Sequence, residues 1–538
     1  MNGEVPPEEA VPEAAAAGSP PSPPRLKTLT LRNFRAFPGP AAVPVPLGGR
    51  NVAIFGENGS GKSTIFHALD GFFSVAENSK PSRRQRLENN VNLFSSLGIS
   101  ETWVEAEFDD GSVERWDKDR HPCDPGGGLS ERVFAAGYRK AFLDYRALLE
   151  TNFRHSGGAI NLFDICVQTV LRDYRTAHDG SEATIRDLWF VLRKHISPPR
   201  GDLTVGRDDA ERNYYRTSFN TGIGEALDAM VPFVNEMLKA LGWDDIEVER
   251  FEFQRLTYNT EWPLKHRDFD GKSIKPVVKF NGEELASPHL SLNEARQSAL
   301  ALAIYFAGRK LCAATTLADV PKIMVLDDVI VSLDQSNRLP ILNLLAEQFR
   351  EWQIIILTHD RLWFDMTRSY HRRHKADKFW NYLEIHAGSN LQTPPTPLPV
   401  SSSSPSDALD LAKTFLNQGH INAAGNAVRI SAERTLREFC EVKSVPVRYK
   451  VDSEKVAFSD LMSAVKSWSN SSANGQYNEI LEHLQMYTEI LLNRLSHGGT
   501  SSLERYEVQG AIVAVDALMF ALKALSTSEM KQRKAAAS

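Results

Sequence analysis

The sequence predicts an α/β fold organised around a phosphate-binding loop, followed by a mostly α-helical C-terminal region. Three observations predict it. A short apolar strand runs into a glycine-rich loop and a helix, two further apolar runs end in polar residues, and a Pro/Ser break leads into a stretch that is helical in pattern throughout. The 538 residues make room for roughly three to four domains. A hydrophobic fraction of 42% with 24% charged residues is that of a globular chain. The net charge of −6 excludes bulk attraction to nucleic acid, so any such contact must come from local basic patches.

The first element is the strand at 51–55, apolar until it meets glycine, as buried parallel strands are. An alternating strand at 26–31 precedes it. The loop Gly56-Glu57-Asn58-Gly59-Ser60-Gly61-Lys62-Ser63 satisfies GxxxxGK[ST] at every fixed position, and a helix starts near Lys62 and Thr64. Glycines let backbone N–H groups wrap phosphates, and the helix N-terminus adds its positive dipole. ATP is the expected ligand, with Lys62 reaching its β and γ phosphates and Ser63 ligating Mg²⁺.

The second element is a pair of apolar runs, 323–326 and 354–357. Asp327 ends the first, where a carboxylate can hold Mg²⁺, and Asp328 follows where an acid can orient water. Two acids ending a strand can also be simply solvated. His359 closes the second run. Between them lie Leu290-Ser291-Leu292-Asn293-Glu294 before an Ala-rich buried helix, and Ser332-Leu333-Asp334.

In order and spacing these elements resemble the signature motif, D-loop and switch histidine of ABC ATPases, above all the SMC/RecF/RecN branch, over residues 25–386. The segment Leu31-Arg-Asn-Phe-Arg35-Ala-Phe37 resembles the opening strand of that branch, which implies that Arg35 lies near the nucleotide. The resemblance implies an ABC/SMC-type ATPase head that forms a homodimer or higher oligomer through its heads. Two ATPs would be sandwiched, with Ser291, Asn293, Glu294 and the helix that Ser291 opens facing the other subunit's γ phosphate. Asp334 would sit at the same interface, and His359 would touch the γ phosphate or the attacking water. The chain departs from the pattern in carrying Leu292-Asn293 for the glycine pair, Asp328 for the usual glutamate and no clear Q-loop glutamine. Gln168 is nearest by order, and Phe142-Leu-Asp-Tyr-Arg146 represents that segment better.

Residues 142–288 read as a compact lid inserted in the ATPase. Its helices are expected at 160–178, Ile185–Lys194 and 223–241, with a strand near 245–256 and no sustained heptads. The third observation sets the remaining boundaries. Residues 1–24 and 531–538 read as disordered tails, 387–406 as a Pro/Ser linker, and 407–530 as a helical domain.

In that last domain Arg429 and Glu433 share a helical face, and His497 ends an apolar helix. The arrangement resembles the HEPN-like domain of the PrrC and RloC anticodon nucleases, which implies metal-free RNA cleavage by such a trio. An ion pair and a helix-capping histidine is the structural alternative.

Two basic clusters, Arg83-Arg84-Gln-Arg86 and Arg368 with His371–Lys375, are candidate nucleic-acid contacts. Four scattered cysteines fit neither a zinc ribbon nor a disulfide framework, and no membrane-length apolar run occurs, so a cytoplasmic setting is expected. The strings SLNEARQSALALAIYFA and VLDDVIVSLDQSNR are similar to the PtuA-like ATPases of Septu anti-phage systems, which implies an HNH-type effector nuclease as partner. A self-contained, ATP-gated, tRNA-cleaving ribonuclease and a DNA-repair clamp are the alternatives.

Overall fold

Where the sequence is apolar on both faces, the chain builds a central six-stranded sheet. The computed structural model describes residues 23–74, 87–124, 130–144, 161–178, 180–194, 209–261, 266–314, 320–329, 335–388, 390–400, 405–417, 419, 421–447, 458–470, 475–496 and 504–536. The strand order is Thr396–Pro399, Trp380–His386, Asn51–Gly56, Gln353–Thr358, Ile323–Asp327, Ala141–Asp144. All neighbours are parallel except the first pair, which is antiparallel. Every residue of Ile323–Asp327 and Gln353–Thr358 is buried, as a parallel sheet covered on both faces requires.

The two faces feed two cores. Ile323 and Val325 join Ile54 and Leu357 beneath the antiparallel sheet that contains Leu26–Arg32 and Trp103–Phe108. Met324 and Leu326 point the other way, as the two-residue period of a strand dictates, into a core shared with residues 162–313. The expected lid shares this core with the sheet, and its first residues, 142–144, are a strand of the central sheet.

Within that region Ile185–Lys194 is helical as expected, and Asp209–Ala240 is longer than the helix expected at 223–241. The latter packs along Glu294–Ala314. No continuous helix covers 160–178. A short turn, Phe163–Ile165, passes into a π-helical stretch, Cys166–Val170, and then into a hairpin of Arg175–His178 with Ser181–Thr184. The Asp179-Gly180 dipeptide is the hairpin signal, and Gly180 takes φ +70° there.

A charge cluster lies beneath this turn. Asp173, fully buried, meets Arg309 at 2.9 Å, Arg172 at 3.1 Å and Arg186 at 3.9 Å. Burial alone would raise its carboxyl, but the three arginines hold it below the usual carboxylate range.

The C-terminal helices Pro405–Asn417, Ile421–Val442, Phe458–Ser469, Asn478–Ser496 and Arg505–Ala536 surround their own core of Phe415, Val428, Leu436, Leu481 and Leu518. Helix Arg505–Ala536 continues past residue 531, where a disordered tail was expected. The expected linker is also partly ordered, since Thr396–Pro399 pairs with Trp380–His386 and sends Leu398 into the C-terminal core. Proline suits this place because an edge strand needs N–H donors on one side only. Residues 1–22 lie outside the described residues. All four cysteines are buried thiols outside any disulfide, and burial pushes the Cys166 and Cys312 thiols up to about 12. Among the described residues no helix is long and apolar enough to cross a membrane.

Replacing Asp173 with alanine leaves Arg309 buried without its partner. The expected loss is about 3–5 kcal/mol, read as a lower urea midpoint. A midpoint equal to that of the unaltered chain would show that the cluster is not a stabilising centre.

Candidate nucleotide site

The carboxyl ends of four parallel strands, Gly56, Asp144, Asp327 and Thr358, lie along one edge of the sheet, where open α/β sheets bind ligands. From Gly56 the chain loops into helix Lys62–Phe72, with Gly59 at φ +82° and Gly61 at φ +101°. Glycine is required at these angles, which turn the loop back so that its N–H groups face inward. Lys62 Nζ donates to the carbonyls of Gly56 at 2.7 Å and Glu57 at 3.0 Å, folding over the loop. Burial lowers its pKa, against the attraction of Asp328, Asp327 and Glu57.

Arg35 arrives through a clip on the same helix. The Ala36 N–H donates to Thr64 Oγ1 at 3.4 Å, and the Phe37 ring lies 3.2 Å from where a side chain on Gly61 would begin. Arg35 itself is in the left-handed region at φ +47°, and burial lowers its pKa.

Asp327 is 7% exposed, and its carboxyl is pushed up to about 6, first by burial and further by Asp328 and Asp144. The Ser63 hydroxyl donates to it, and Lys62 also favours its charged form. Its Oδ1 and the Ser60 Oγ are buried and lack any protein partner. An unpartnered carboxylate oxygen beside a serine hydroxyl fits a divalent cation of oxygen-liking character. Asp144, opposite Asp327 in the parallel register, lies within the Phe142–Arg146 segment of the sequence reading, which did not single it out as a site residue.

Asp328 sits at φ +52°. Its N–H donates to the Leu357 carbonyl at 3.0 Å, and its Oδ1 accepts the His359 backbone N–H at 2.9 Å. The His359 Nδ1 is 2.8 Å from the same oxygen but off the line of a directed hydrogen bond. Asp and Asn tolerate the left-handed region better than longer side chains do, which accounts for aspartate where the family pattern has glutamate.

The signature-like segment is built differently from expectation. Ser291 ends the turn Pro288–Ser291 and donates its hydroxyl to the Ser287 carbonyl at 3.1 Å, so it does not open the long helix. Asn293 does, its Oδ1 accepting the Arg296 N–H at 3.0 Å. Ser291, Asn293 and Glu294 are exposed and make no hydrogen bond to the P-loop of their own chain among the described residues. Gln168 is exposed on the π-helical stretch and bonds Asp164 at 3.2 Å.

Asp334, Arg83, Arg84, Arg86 and His497 lie outside the described residues. Arg429 and Glu433 share helix Ile421–Val442, but the Glu433 carboxylate is engaged by Arg437 at 2.9 Å. His371 is no phosphate ligand. It is buried, stacked 4.0 Å from Trp380 with its Nδ1 2.9 Å from the Tyr382 hydroxyl, and burial pushes its pKa down to about 4.

Residues 25–378 match the RecF/RecN/SMC N-terminal domain. This chain belongs to that family. RecF/RecN/SMC domains are ATPases that generally bind ATP with Mg²⁺. Among solved structures, an SMC head bound to the C-terminal winged-helix domain of ScpA is similar at 14% identity and a TM-score of 0.34, covering 70% of this chain and 98% of that one. The Thermotoga maritima SMC head gives 17% and 0.30, covering 70% and 100%. An ATP-bound RecF gives 12% and 0.41, covering 64% and 95%. These likenesses are distant, and membership rests on the domain match. No curated protein matches the chain.

The Asp327 carboxyl yields a pH prediction. Raised from its ordinary 3.8 to about 6, it favours the fold below the lower value, and that contribution is lost as pH rises through the upper one. Ionising it costs on the order of 3 kcal/mol at neutral pH. Asp327→Asn should raise the melting temperature of the ligand-free protein at pH 7.5, with the gain shrinking as pH falls from about 6 toward 4. The same substitution should abolish Mg²⁺-dependent stabilisation by a non-hydrolysable ATP analogue. A gain independent of pH would refute the assignment.

Proposed function

We propose that this RecF/RecN/SMC-family chain is an ATP-driven switch whose heads close as a homodimer and thereby control an effector nuclease in bacterial anti-phage defence. One observation carries the switch. A P-loop, a buried carboxylate with one unpartnered oxygen and a serine hydroxyl converge on one edge of the sheet, while the signature-like serine is exposed and makes no hydrogen bond to the P-loop of its own chain among the described residues.

In this reading Gly56–Ser63 and Thr64 enclose the phosphates, with Lys62 swinging from the loop carbonyls onto the β and γ oxygens. Ser63 and Asp327 would hold Mg²⁺, which would supply positive charge to the phosphoryl oxygens. Asp328 positions the attacking water, its carboxylate held by the His359 backbone N–H. Arg35 flanks the nucleotide. Ser291 and the helix capped by Asn293 present N–H groups to the other subunit's γ phosphate, with Glu294 and Asp334 at the same seam.

The effector is proposed to be an HNH-type nuclease docked on the C-terminal helices. Support comes from the likeness of SLNEARQSALALAIYFA and VLDDVIVSLDQSNR to PtuA-like ATPases. The ion pair between Glu433 and Arg437 favours a scaffolding role for that helix over an RNA-cleaving one.

Lys62→Ala should lower ATP turnover by roughly 100-fold or more, and an unchanged rate in the purified variant would sink the nucleotide assignment. Asp328→Asn preserves the left-handed backbone and should bind ATP while slowing hydrolysis. Small-angle scattering should then show the closed, more compact dimer persisting. Identical mass and compactness with and without ATP would reject closure of the heads. Phage protection that survives Lys62→Ala would reject ATP control of the effector.

A further inference from the structure

The end of the sheet opposite the P-loop carries a basic trough for which the ATPase reading has no use. Strand Asn51–Gly56 spans about 17–20 Å, with Gly56 at the nucleotide edge and Arg50 just before its other end. Two cavities meet there. One, of about 650 Å³, is lined by Arg50, Arg368, Arg372, Lys378 and Tyr382, with Asp377 as its one acid. The other, of about 830 Å³, is lined by Arg50, Arg350, His374, Lys378 and Phe379, with Glu347 as its one acid. Arg50, Lys378 and Trp380 line both, so the two form one continuous trough.

The floor is rigid and aromatic. Trp380 is stacked on His371, which also meets the Tyr382 hydroxyl. Because burial holds His371 neutral at physiological pH, the floor adds no charge of its own. The walls are cationic, and the Arg368 charge is disfavoured first by burial and then by Arg372 beside it and Arg434 from the C-terminal helices, against the attraction of Asp365. Beside them Phe379 stands 58% exposed, with Lys378 4.9 Å from its ring centre.

Clustered cations select phosphates, and an exposed aromatic ring among them selects unpaired bases. We infer that this trough binds a single strand of nucleic acid, its backbone phosphates along Arg50, Arg368, Arg372 and Lys378 and a base on Phe379. Two adjoining cavities sharing cations suit a linear polyanion better than a single small anion. A duplex hides the base faces that Phe379 would stack on.

The test uses the full chain and a fluorescein-labelled 20-nucleotide oligo-dT, with binding followed by anisotropy at low salt. The unaltered chain should bind, more weakly as salt rises, and an unlabelled duplex of equal length should compete poorly. Arg372→Glu with Lys378→Glu should weaken binding by at least about 10-fold and flatten the salt dependence. Both residues are exposed, and melting temperature and ATP turnover report that the fold is retained. Phe379→Ala, which leaves every cation in place, should weaken binding roughly 5-fold or more. Lys62→Ala should bind like the unaltered chain, so failure of the ATPase reading and failure of the trough are told apart. Equal binding by the double charge reversal would overturn the inference. So would tripolyphosphate displacing the strand while Phe379→Ala has no effect, because the trough would then hold free polyphosphate.

Discussion

Unbalanced charge at the carboxyl edge of the central sheet is the constraint on which the rest depends. Asp327 is forced there by an apolar strand with sheet neighbours on both sides, and Asp144 and Asp328 add repulsion. Lys62 is the opposing cation nearest at hand, and it too is stripped of water. Neither a bare cation nor a bare polyphosphate satisfies all these groups, since the carboxylates want positive charge and the loop N–H groups want negative. A nucleotide carrying its Mg²⁺ satisfies both, so the site is complementary to the complex and not to either part. The left-handed Asp328 and the Thr64 clip are the local means of holding such unfavourable neighbours in place.

The lid and the signature-like helix are bound into one body by the same kind of interaction, here with the buried carboxylate met by three guanidinium groups. Arg309, on helix Glu294–Ala314, reaches Asp173 at 2.9 Å, and Asp173 also gathers Arg172 and Arg186 from the turn and from helix Ile185–Lys194. A buried cluster of this sort resists shear because parting any member strands a charge. The segment proposed to face a second subunit is therefore tied to the lid through Arg309.

The parts of this architecture that a local pattern encodes were legible in the sequence. The P-loop, the strands ending at Asp327 and Thr358, and helix Ile185–Lys194 follow from periodicity and glycine placement alone. Asp144 was not legible, because its role arises from a register with Ile323–Asp327 set across the whole lid. The segment 160–178 looked helical since its apolar residues recur, yet the demand to bury Asp173 against three arginines broke it into a turn and a hairpin. Prolines made 387–406 look like pure linker, though an edge strand tolerates them. In the basic run after Arg368, only burial shows that His371 is part of the floor while Arg372 faces the trough.

Helix Arg361–Arg373 connects the two ends of the central sheet. Its cap, Asp360, accepts the Trp363 N–H at 3.0 Å, pairs with Arg338 at 2.6 Å and follows His359 in the chain. Its last turn carries Arg372 into the basic trough. Thirteen residues make a rod about 20 Å long, too short and too well hydrogen-bonded to bend appreciably. Stiffness of this order means that a displacement of the histidine end reaches the arginine end at nearly full amplitude, as in a pushrod, with no need for the sheet between them to deform.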